Sequence, residues 1–230
     1  MHLPSEVPVM TLPNATLFPQ AMLPLYIFEP RYRKMLSDAL NSHRMFAIAM
    51  QKPGRVRETP SGVGGLGLIR ASVSNADGTS HLVLQGIARI EFAEVVRYKP
   101  YRVQSVRRLE TTGRDSVAVD ALTAKVLELV AERLEQGLDL PVHVLKQLRQ
   151  LEEAKEEDKS APAFSLKQII KYLVKLRDPD QLADLVSCTL LPESTQRQTI
   201  LETTNLENRL KHLVHFLLAE IRRHRKQDAP

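Results

Sequence analysis

The sequence has very little cysteine and no tryptophan, and Cys188 is its single cysteine. One cysteine excludes an internal disulfide and a thiolate metal cage, and it is typical of proteins from a reducing compartment. Cys188 lies in the apolar stretch 185–191, with no histidine nearby in the sequence. We therefore interpret Cys188 as a small buried hydrophobic residue and not as a nucleophile.

Long apolar runs are also absent from the sequence. No stretch approaches the roughly 20 apolar residues that a membrane-spanning helix requires. The first residues, Met1–Pro8, lack the basic start and the unbroken apolar run of a signal peptide. These absences predict a cytoplasmic protein that does not bind a membrane.

The charge of the chain is nearly balanced, with 32 basic and 27 acidic residues and a net charge of +5. The basic cluster Arg222–Lys226 ends a predicted helix and would complement the negative end of the helix dipole. Phosphate binding by this cluster is the alternative. Because aromatic residues make up 5% of the chain and none is interleaved with this cluster, nucleic acid is the less favoured partner.

The sequence lacks the local signatures of common active sites. Neither S-x-x-K nor G-x-S-x-G occurs. His212 and His215 have the spacing of two metal ligands on a helix, but no third ligand follows at a useful spacing. The segment Gly62–Gly67 matches G-x-G-x-x-G, yet a proline-containing loop precedes it and a strand-like run follows, so we interpret it as a flexible turn. We predict no catalytic residue, no metal and no cofactor.

The first half of the chain has the patterns of a β-rich domain with one helix. Prolines are concentrated before Arg31, which favours short edge strands there, and an apolar helical stripe starts after Pro30. Asp77-Gly78 predicts a hairpin turn, and segment 52–65, with its prolines and glycines, predicts an exposed loop. Strands are predicted at Met45–Met50, Leu66–Val73, His81–Phe92 and Tyr101–Leu109.

After Gly113 the composition changes to helix formers. We predict a helix from about Val119 that Gly137 ends, and a last helix that starts at a capping box over Thr204–Glu207. Further helices are predicted at 142–159, from Ser165 to Asp178, at 181–190 and from about Thr195. The chain thus divides into a β-rich domain, residues 1–112, and a helical domain, residues 113–230, that ends in a long C-terminal helix.

Several segments, taken together, carry a resemblance to a known family. In order, they are Val7–Asn14, Leu17–Pro19, Leu23–Arg33, Gly62–Ile69, Gln85–Ile90 and Glu207–Leu210. They are similar to parts of the N-terminal substrate-binding domain of Lon proteases, in the form found in short stand-alone relatives. The glycine that the family usually has after Phe-Pro is replaced here by Gln20, which affects the tightness of that turn.

The resemblance implies an α+β fold, with a PUA-like β pseudo-barrel followed by an all-α helical bundle. It also implies a non-catalytic module that binds exposed apolar polypeptide in the trough between barrel and helices. Such a module would act as an adaptor or regulator in proteolysis and protein quality control. These 230 residues contain neither the Walker motif nor the Ser-Lys protease domain of full-length Lon.

The partners that the resemblance implies are unfolded or flexible polypeptide segments. A protease or chaperone and a second copy of the chain are further candidate partners. The alternative function is RNA binding, because PUA-like folds also occur in RNA-modifying proteins and the chain is basic. The candidate peptide contacts are Phe18, Met22, Tyr26 and Phe28, and the alternative role of these apolar residues is ordinary core packing.

The best-matched motifs also contain residues to which we assign structural roles. Glu29 and Arg31 are expected to form an ion pair or to start a helix, with ligand contact as the alternative. Gly86 and Arg89 stand where the family has a glycine and an arginine. We expect Arg89 to anchor the barrel by satisfying carbonyl groups.

Overall fold

The chain divides into two compact units, Met1–Glu110 and Thr111–Pro230. The structure is a computed structural model, and it describes residues 3–55, 58–135, 173, 175–176 and 178–227. Within these residues, no helix has the length and apolar character needed to cross a membrane.

The first unit contains strands and one helix. The elements are β1 (Glu6–Leu12), β2 (Met22–Ile27), α1 (Pro30–Leu40), β3 (Met45–Met50), β4 (Val63–Ser74), β5 (Ser80–Arg97) and β6 (Val103–Arg108). Pro24 lies in the edge strand β2, whereas Pro8 lies in β1, which pairs with both β3 and β6. The predicted apolar stripe after Pro30 forms the helix, with Pro30 in its first turn.

The strands form one mixed sheet in the order β2-β5-β4-β3-β1-β6. β1 and β3 are parallel, and the other pairings of the described strands are antiparallel. Because the 18-residue β5 also pairs with β6, the sheet closes on itself, with β2 as an additional strand on β5. The predicted α+β fold with a β pseudo-barrel is therefore confirmed.

Alternating side chains on the strands build two hydrophobic clusters in this unit. The first cluster contains the buried face of α1, including Met35, together with Phe46 and Leu84 from the strands. The second contains Ala47 and Leu66 on the opposite side of the same strands. β3 contributes to both clusters, which explains why all six of its residues are apolar and buried.

The glycine-rich segment is part of a strand. β4 begins at Val63, and Gly64 and Gly65 are buried within it. A Cβ atom at Gly65 would lie 1.9 Å from the carbonyl oxygen of Leu17, so only glycine allows the two backbones to approach this closely. The interpretation of 62–67 as a flexible turn is therefore wrong, and the predicted loop 52–65 ends before Val63.

The hairpin predicted from Asp77-Gly78 is confirmed. Gly78 has a φ of +79°, and the N–H of Asn75 donates to the carbonyl oxygen of Thr79 across the turn at 2.8 Å. β4 and β5 are longer than predicted. β5 continues beyond Phe92 because its second half pairs with β6.

The described part of the second unit is helical. Its elements are α2 (Val117–Glu135), α3 (Pro179–Leu190), α4 (Ser194–Glu202) and α5 (Leu206–Gln227). The helices predicted from about Val119, at 181–190 and from about Thr195 are confirmed within a few residues. Gly137 and the helices predicted at 142–159 and from Ser165 lie outside the described residues, apart from isolated positions.

The start of α5 differs from the predicted capping box. The side-chain oxygen of Asn205, and not that of Thr204, accepts the N–H of Asn208 at 3.0 Å. Asn205 is therefore the N-cap residue, one position later than the Thr-x-x-Glu spacing predicts.

A buried cluster of charges holds the second unit together. The side chain of Arg209 on α5 is completely buried and forms ion pairs with Asp180 and, at 3.6 Å, with Asp184, both on α3. Its Nε donates to the carbonyl oxygen of Thr203 at 2.7 Å. Arg209 belongs to the Glu207–Leu210 motif. The arginine of that motif therefore has a structural role, because its side chain forms ion pairs and hydrogen bonds inside the second unit.

Candidate functional site

Tyr26 of β2 and Phe28, which follows the end of β2, are exposed on a surface shared by three strands. Tyr26 on β2 is directly opposite His81 on β5, which in turn is opposite Val73 on β4. The rings of Tyr26 and His81 have centroids 4.8 Å apart, and the Phe28 ring stacks on Tyr26 at 5.9 Å. Tyr26 is 50% exposed, Phe28 58% and Val73 65%, which is unusual for apolar side chains in contact.

The next row of the sheet continues the same surface. Pro24 on β2 pairs in register with Val83 on β5, and Val83 pairs with Ala71 on β4. On β2 the alternate residues, Leu23, Leu25 and Ile27, pack into the first cluster on the other side. We name the outward surface the aromatic face and define it as Met22, Pro24, Tyr26, Phe28, Ala71, Val73, His81 and Val83.

An arginine lies at one border of the aromatic face. His81 belongs to the face, and next to it Arg70 of β4 donates from Nε to the Oε1 atom of Gln85 at 2.5 Å. Gln85 pairs with Met22, so Arg70 lies at the Met22 end of the face. No residue of the face carries a carboxylate. The surface is therefore suited to apolar side chains rather than to cations.

The outer edge of β2 offers few backbone donors. The N–H of Gly86 in β5 donates to the carbonyl oxygen of residue 21, and the carbonyl oxygen of Gly86 accepts the N–H of residue 20. Along a strand, the backbone N–H and C=O groups of successive residues point alternately to the two sides. Leu23, Leu25 and Ile27 therefore direct their N–H groups toward β5, whereas Met22, Pro24 and Tyr26 direct their backbone groups to the outer edge. Proline has no N–H, so Pro24 interrupts this edge. Addition of a further strand along the outer edge of β2 is consequently limited.

The structure brings together some of the predicted peptide contacts. Tyr26 and Phe28 are in contact and exposed, and Met22 is half-buried on the same face. Phe18 is completely buried, so its side chain offers no surface to a ligand. It packs inside the unit, where its ring centroid lies 5.9 Å from the guanidinium carbon of Arg89.

Glu29 and Arg31 lie at the start of α1. The Nε of Arg31 is 2.8 Å from a carboxylate oxygen of Glu29, and its NH1 is 2.5 Å from Glu58. The Arg31 guanidinium also lies over the Tyr32 ring, 4.3 Å from the centroid. Glu29 is the N-cap residue of the helix, although its side chain does not cap the helix. The pair joins the helix start to the segment that contains Glu58.

Gly86 and Arg89 lie in β5, behind the Phe18–Ala21 turn of the opening motif. A Cβ atom at Gly86 would be 2.0 Å from the carbonyl oxygen of Phe18, so the turn packs directly on the glycine backbone. Arg89 is 4% exposed, and its own carbonyl oxygen accepts the N–H of Leu109 at 3.0 Å. Both residues lie in the interior of the first unit.

Other groups singled out by the sequence form no chemical centre. In the part of the chain that the structure describes, no group of three His, Cys, Asp or Glu side chains is placed to hold a metal ion. His212 and His215 both contact the Phe216 ring, with centroids at 6.4 and 5.9 Å. Burial raises the pKa of the Cys188 thiol to about 12, so the thiol is not a nucleophile near neutral pH.

Sequence reasoning missed two features of the exposed surface. The first is that His81 and Val73 lie beside Tyr26, because the three residues pair across neighbouring strands. The alternation of apolar and polar residues in β5 could have indicated this pairing. The second is the β5–β6 turn, where Arg102 lies over the exposed Tyr98 ring at 5.1 Å. The segment Arg97–Arg102 does interleave aromatic and basic residues, unlike the C-terminal cluster.

The chain is similar in sequence to known Lon proteases. The chain is 22% identical over 222 residues to the Lon protease of Dictyoglomus thermophilum, a match that covers 95% of this chain and 25% of the relative. It is 25% identical to the Lon protease of Anaeromyxobacter dehalogenans, covering 94% of this chain and 23% of the relative. The chain thus spans about a quarter of the length of these curated relatives.

Two solved structures share the fold. The N-terminal domain of Mycobacterium avium complex Lon protease superposes with a TM-score of 0.65 at 20% identity, covering 93% of this chain and 98% of that one. A Lon N-terminal domain protein from Xanthomonas campestris gives a TM-score of 0.56 at 20% identity, covering 92% and 98%. Residues 6–219 match the family described as the ATP-dependent protease La (LON) substrate-binding domain, and the chain therefore belongs to that family.

Proposed function

We propose that this chain is a non-catalytic polypeptide-recognition module of the cytoplasm, and that the aromatic face of the β-rich domain, residues 1–112, binds exposed apolar segments of other proteins. The single observation that carries the proposal is the contact of three exposed side chains, Tyr26, Phe28 and His81, on one face of the sheet. Membership of a substrate-binding family supports it. In this role the chain serves as an adaptor or regulator of proteolysis.

The chemistry of the face fits tolerant recognition. Aromatic side chains provide large contact areas at a low cost in conformational entropy, and they dominate the energetics of many protein interfaces. Because Pro24 interrupts the outer edge of β2, the binding energy comes mainly from side-chain burial. This proposal places the contact on the aromatic face and not in the trough that the resemblance implies.

The binding test uses a permanently unfolded polypeptide, such as reduced and carboxymethylated lactalbumin, with a fluorescent label. We expect Phe28→Asp to weaken binding by at least about tenfold, since the charged side chain removes an aromatic contact of about 1.4 kcal/mol. Val117→Asp is the matched control, because Val117 is 86% exposed on α2 and outside the face. Equal affinity of wild type and Phe28→Asp would contradict the proposal.

The non-catalytic part of the proposal has its own test. Purified protein is incubated with casein, with and without ATP, and the products are separated by mass. We expect intact casein in both reactions. Cleavage that disappears when one serine of this chain is replaced would show that the chain is a protease.

A specific observation favours RNA binding as the second candidate. Tyr98 is 66% exposed at the β5–β6 turn, next to Lys99 and beneath the Arg102 guanidinium. Basic and aromatic side chains together can bind phosphates and stack on bases. If this turn binds RNA, Lys99→Gln and Tyr98→Ala weaken the affinity for a labelled single-stranded RNA, and the affinity falls steeply with salt. Binding to the unfolded polypeptide should depend on neither substitution.

A further inference from the structure

The β-rich unit contains a cavity at a place other than the aromatic face. The cavity has a volume of about 310 Å³ and is lined by residues of β1, β5, the end of α1 and the segment from Tyr101 into β6. None of its lining residues belongs to the aromatic face. The volume is at the lower end of the range of about 300–1,000 Å³ for small-molecule sites. It therefore fits a ligand of the size of an amino acid better than a polypeptide.

One part of the cavity lining is apolar. Pro8 on β1 is opposite Val103 on β6, and Val103 is opposite Arg97 on β5, so three neighbouring strands form one wall. Val96 adds a side chain that is 49% exposed, and Ala39 lies on the α1 side. These groups offer contact to a compact aliphatic side chain.

Two carboxylates line the cavity. Asp38 on α1 is held in place, because its oxygens accept from Lys34 at 2.8 Å and from the Tyr101 hydroxyl at 2.8 Å. These hydrogen bonds, first that of Lys34, lower the pKa of Asp38, so it is ionised at neutral pH. Glu6 on β1 is exposed and takes part in no ion pair among the described residues. One negative charge in the cavity therefore lacks a cationic partner.

Two donors line the same cavity. The Arg97 guanidinium lies over the Tyr101 ring, 4.7 Å from its centroid, and its positive charge also acts on the Asp38 carboxylate, without a close ion pair between the two. His43 accepts the N–H of Met45 on Nδ1 at 3.1 Å, which leaves its Nε2–H as the donor for a ligand. Burial lowers the pKa of His43, so the ring is neutral near pH 7.

We propose that this cavity binds a free α-amino acid with a compact apolar side chain. Its ammonium group is held by Glu6 and Asp38, its carboxylate by Arg97 and His43, and its side chain by the apolar wall. A ligand with one charge would leave the opposite charge of the cavity without a partner, whereas a zwitterion satisfies both. The site is separate from the aromatic face, so it does not depend on the proposed polypeptide binding.

The test is a titration of the full chain, labelled with ¹⁵N, with L-leucine. We expect saturable shifts of the amide signals of His43, Val96 and Val103. Glu6→Gln and Arg97→Gln should each weaken binding by about tenfold, as expected for the loss of one charge-assisted contact. Both residues are exposed, so both variants should fold; Glu94→Gln and Arg108→Gln, outside the cavity, are the matched controls and should bind like wild type.

Two analogues of L-leucine, each lacking one charged group, test which protein side chain binds that group. 3-Methylbutylamine lacks the carboxylate and 4-methylpentanoate lacks the ammonium group. In Glu6→Gln, loss of the ligand ammonium should weaken binding less than it does in wild type, because only Asp38 still holds that group; in Arg97→Gln, loss of the carboxylate should likewise weaken binding less, because only His43 still holds it. The proposal is overturned if L-leucine gives no saturable shifts at millimolar concentration, or if it binds both variants as tightly as wild type.

Discussion

Gln20 donates its backbone N–H to the carbonyl oxygen of Gly86, 2.7 Å away, from a turn in which its own φ is +64°. The turn runs from Phe18 to Ala21, whose N–H donates to the Phe18 carbonyl at 3.2 Å. A β-turn with proline in its second position and a positive φ in its third is of type II, and its third position favours glycine. Gln20 therefore holds a strained conformation at the position where the family usually has glycine.

The strain at Gln20 predicts a stabilising substitution. Gln20→Gly should raise the free energy of unfolding by about 1 kcal/mol, because glycine adopts a positive φ without steric cost. Gln20→Ala is the control: the side chain is exposed, so alanine should give no gain. Urea unfolding of the three proteins measures the effect. A Gln20→Gly variant that is no more stable than wild type would show that the turn is not strained.

The close approach at Gly86 predicts a destabilising substitution. In Gly86→Ala the new Cβ would lie 2.0 Å from the Phe18 carbonyl oxygen, so the turn must move. We expect a loss of about 2–3 kcal/mol in the free energy of unfolding. Gly62→Ala is the matched control, because a Cβ there meets no atom within 4 Å. Thermal unfolding of both variants measures the difference, and equal midpoints would contradict the packing described for Gly86.

The buried cluster of α3 and α5 predicts a large effect in the second unit. Arg209→Met should destabilise the protein by about 3–5 kcal/mol, because it leaves the buried carboxylates of Asp180 and Asp184 without their main partner. Arg223→Gln is the control: its side chain is 58% exposed and 3.7 Å from Glu193, so its loss should cost less than about 1 kcal/mol. Circular dichroism during urea unfolding follows the helical signal of both.

The buried thiol predicts low reactivity and a pH dependence. Burial raises the pKa of Cys188 to about 12, against about 8.5 in an unfolded chain. Above pH ~8.5 the unfolded chain therefore releases this proton while the folded chain keeps it, so stability falls as pH rises from there toward 12. At pH 8 a thiol reagent should modify the folded protein at least about tenfold more slowly than the urea-unfolded protein. Equal rates in both states would show an accessible thiolate.

Local patterns predicted much of this fold because they act over short distances. The stripe after Pro30 formed α1, and Asp77-Gly78 formed the hairpin turn. Gly64 and Gly65 were misread because their role depends on distant backbone, that of Leu17 and Ile48, which no local pattern shows. The start of α5 was placed one residue early because Thr204 and Asn205 are both good caps in sequence.

The candidate site was predictable only in part. The family motif in the opening segment indicated the region that contains Tyr26 and Phe28. The hydrophobicity of these residues did not show that they are exposed whereas Phe18 is buried. Exposure depends on which side of β2 each residue occupies, and that is set by pairing with β5. The contribution of His81 likewise comes from register between strands distant in sequence.

The most direct measurement of the central claim is a map of the polypeptide-binding surface on the ¹⁵N-labelled protein. Reduced and carboxymethylated lactalbumin is added, and amide shifts are assigned to residues. We predict that the largest shifts fall on Tyr26, Phe28, Val73 and His81, and that Phe28→Asp removes them while Val117→Asp does not. Shifts confined to Tyr98–Arg102, or the same shifts in Phe28→Asp as in wild type, would contradict polypeptide recognition by the aromatic face.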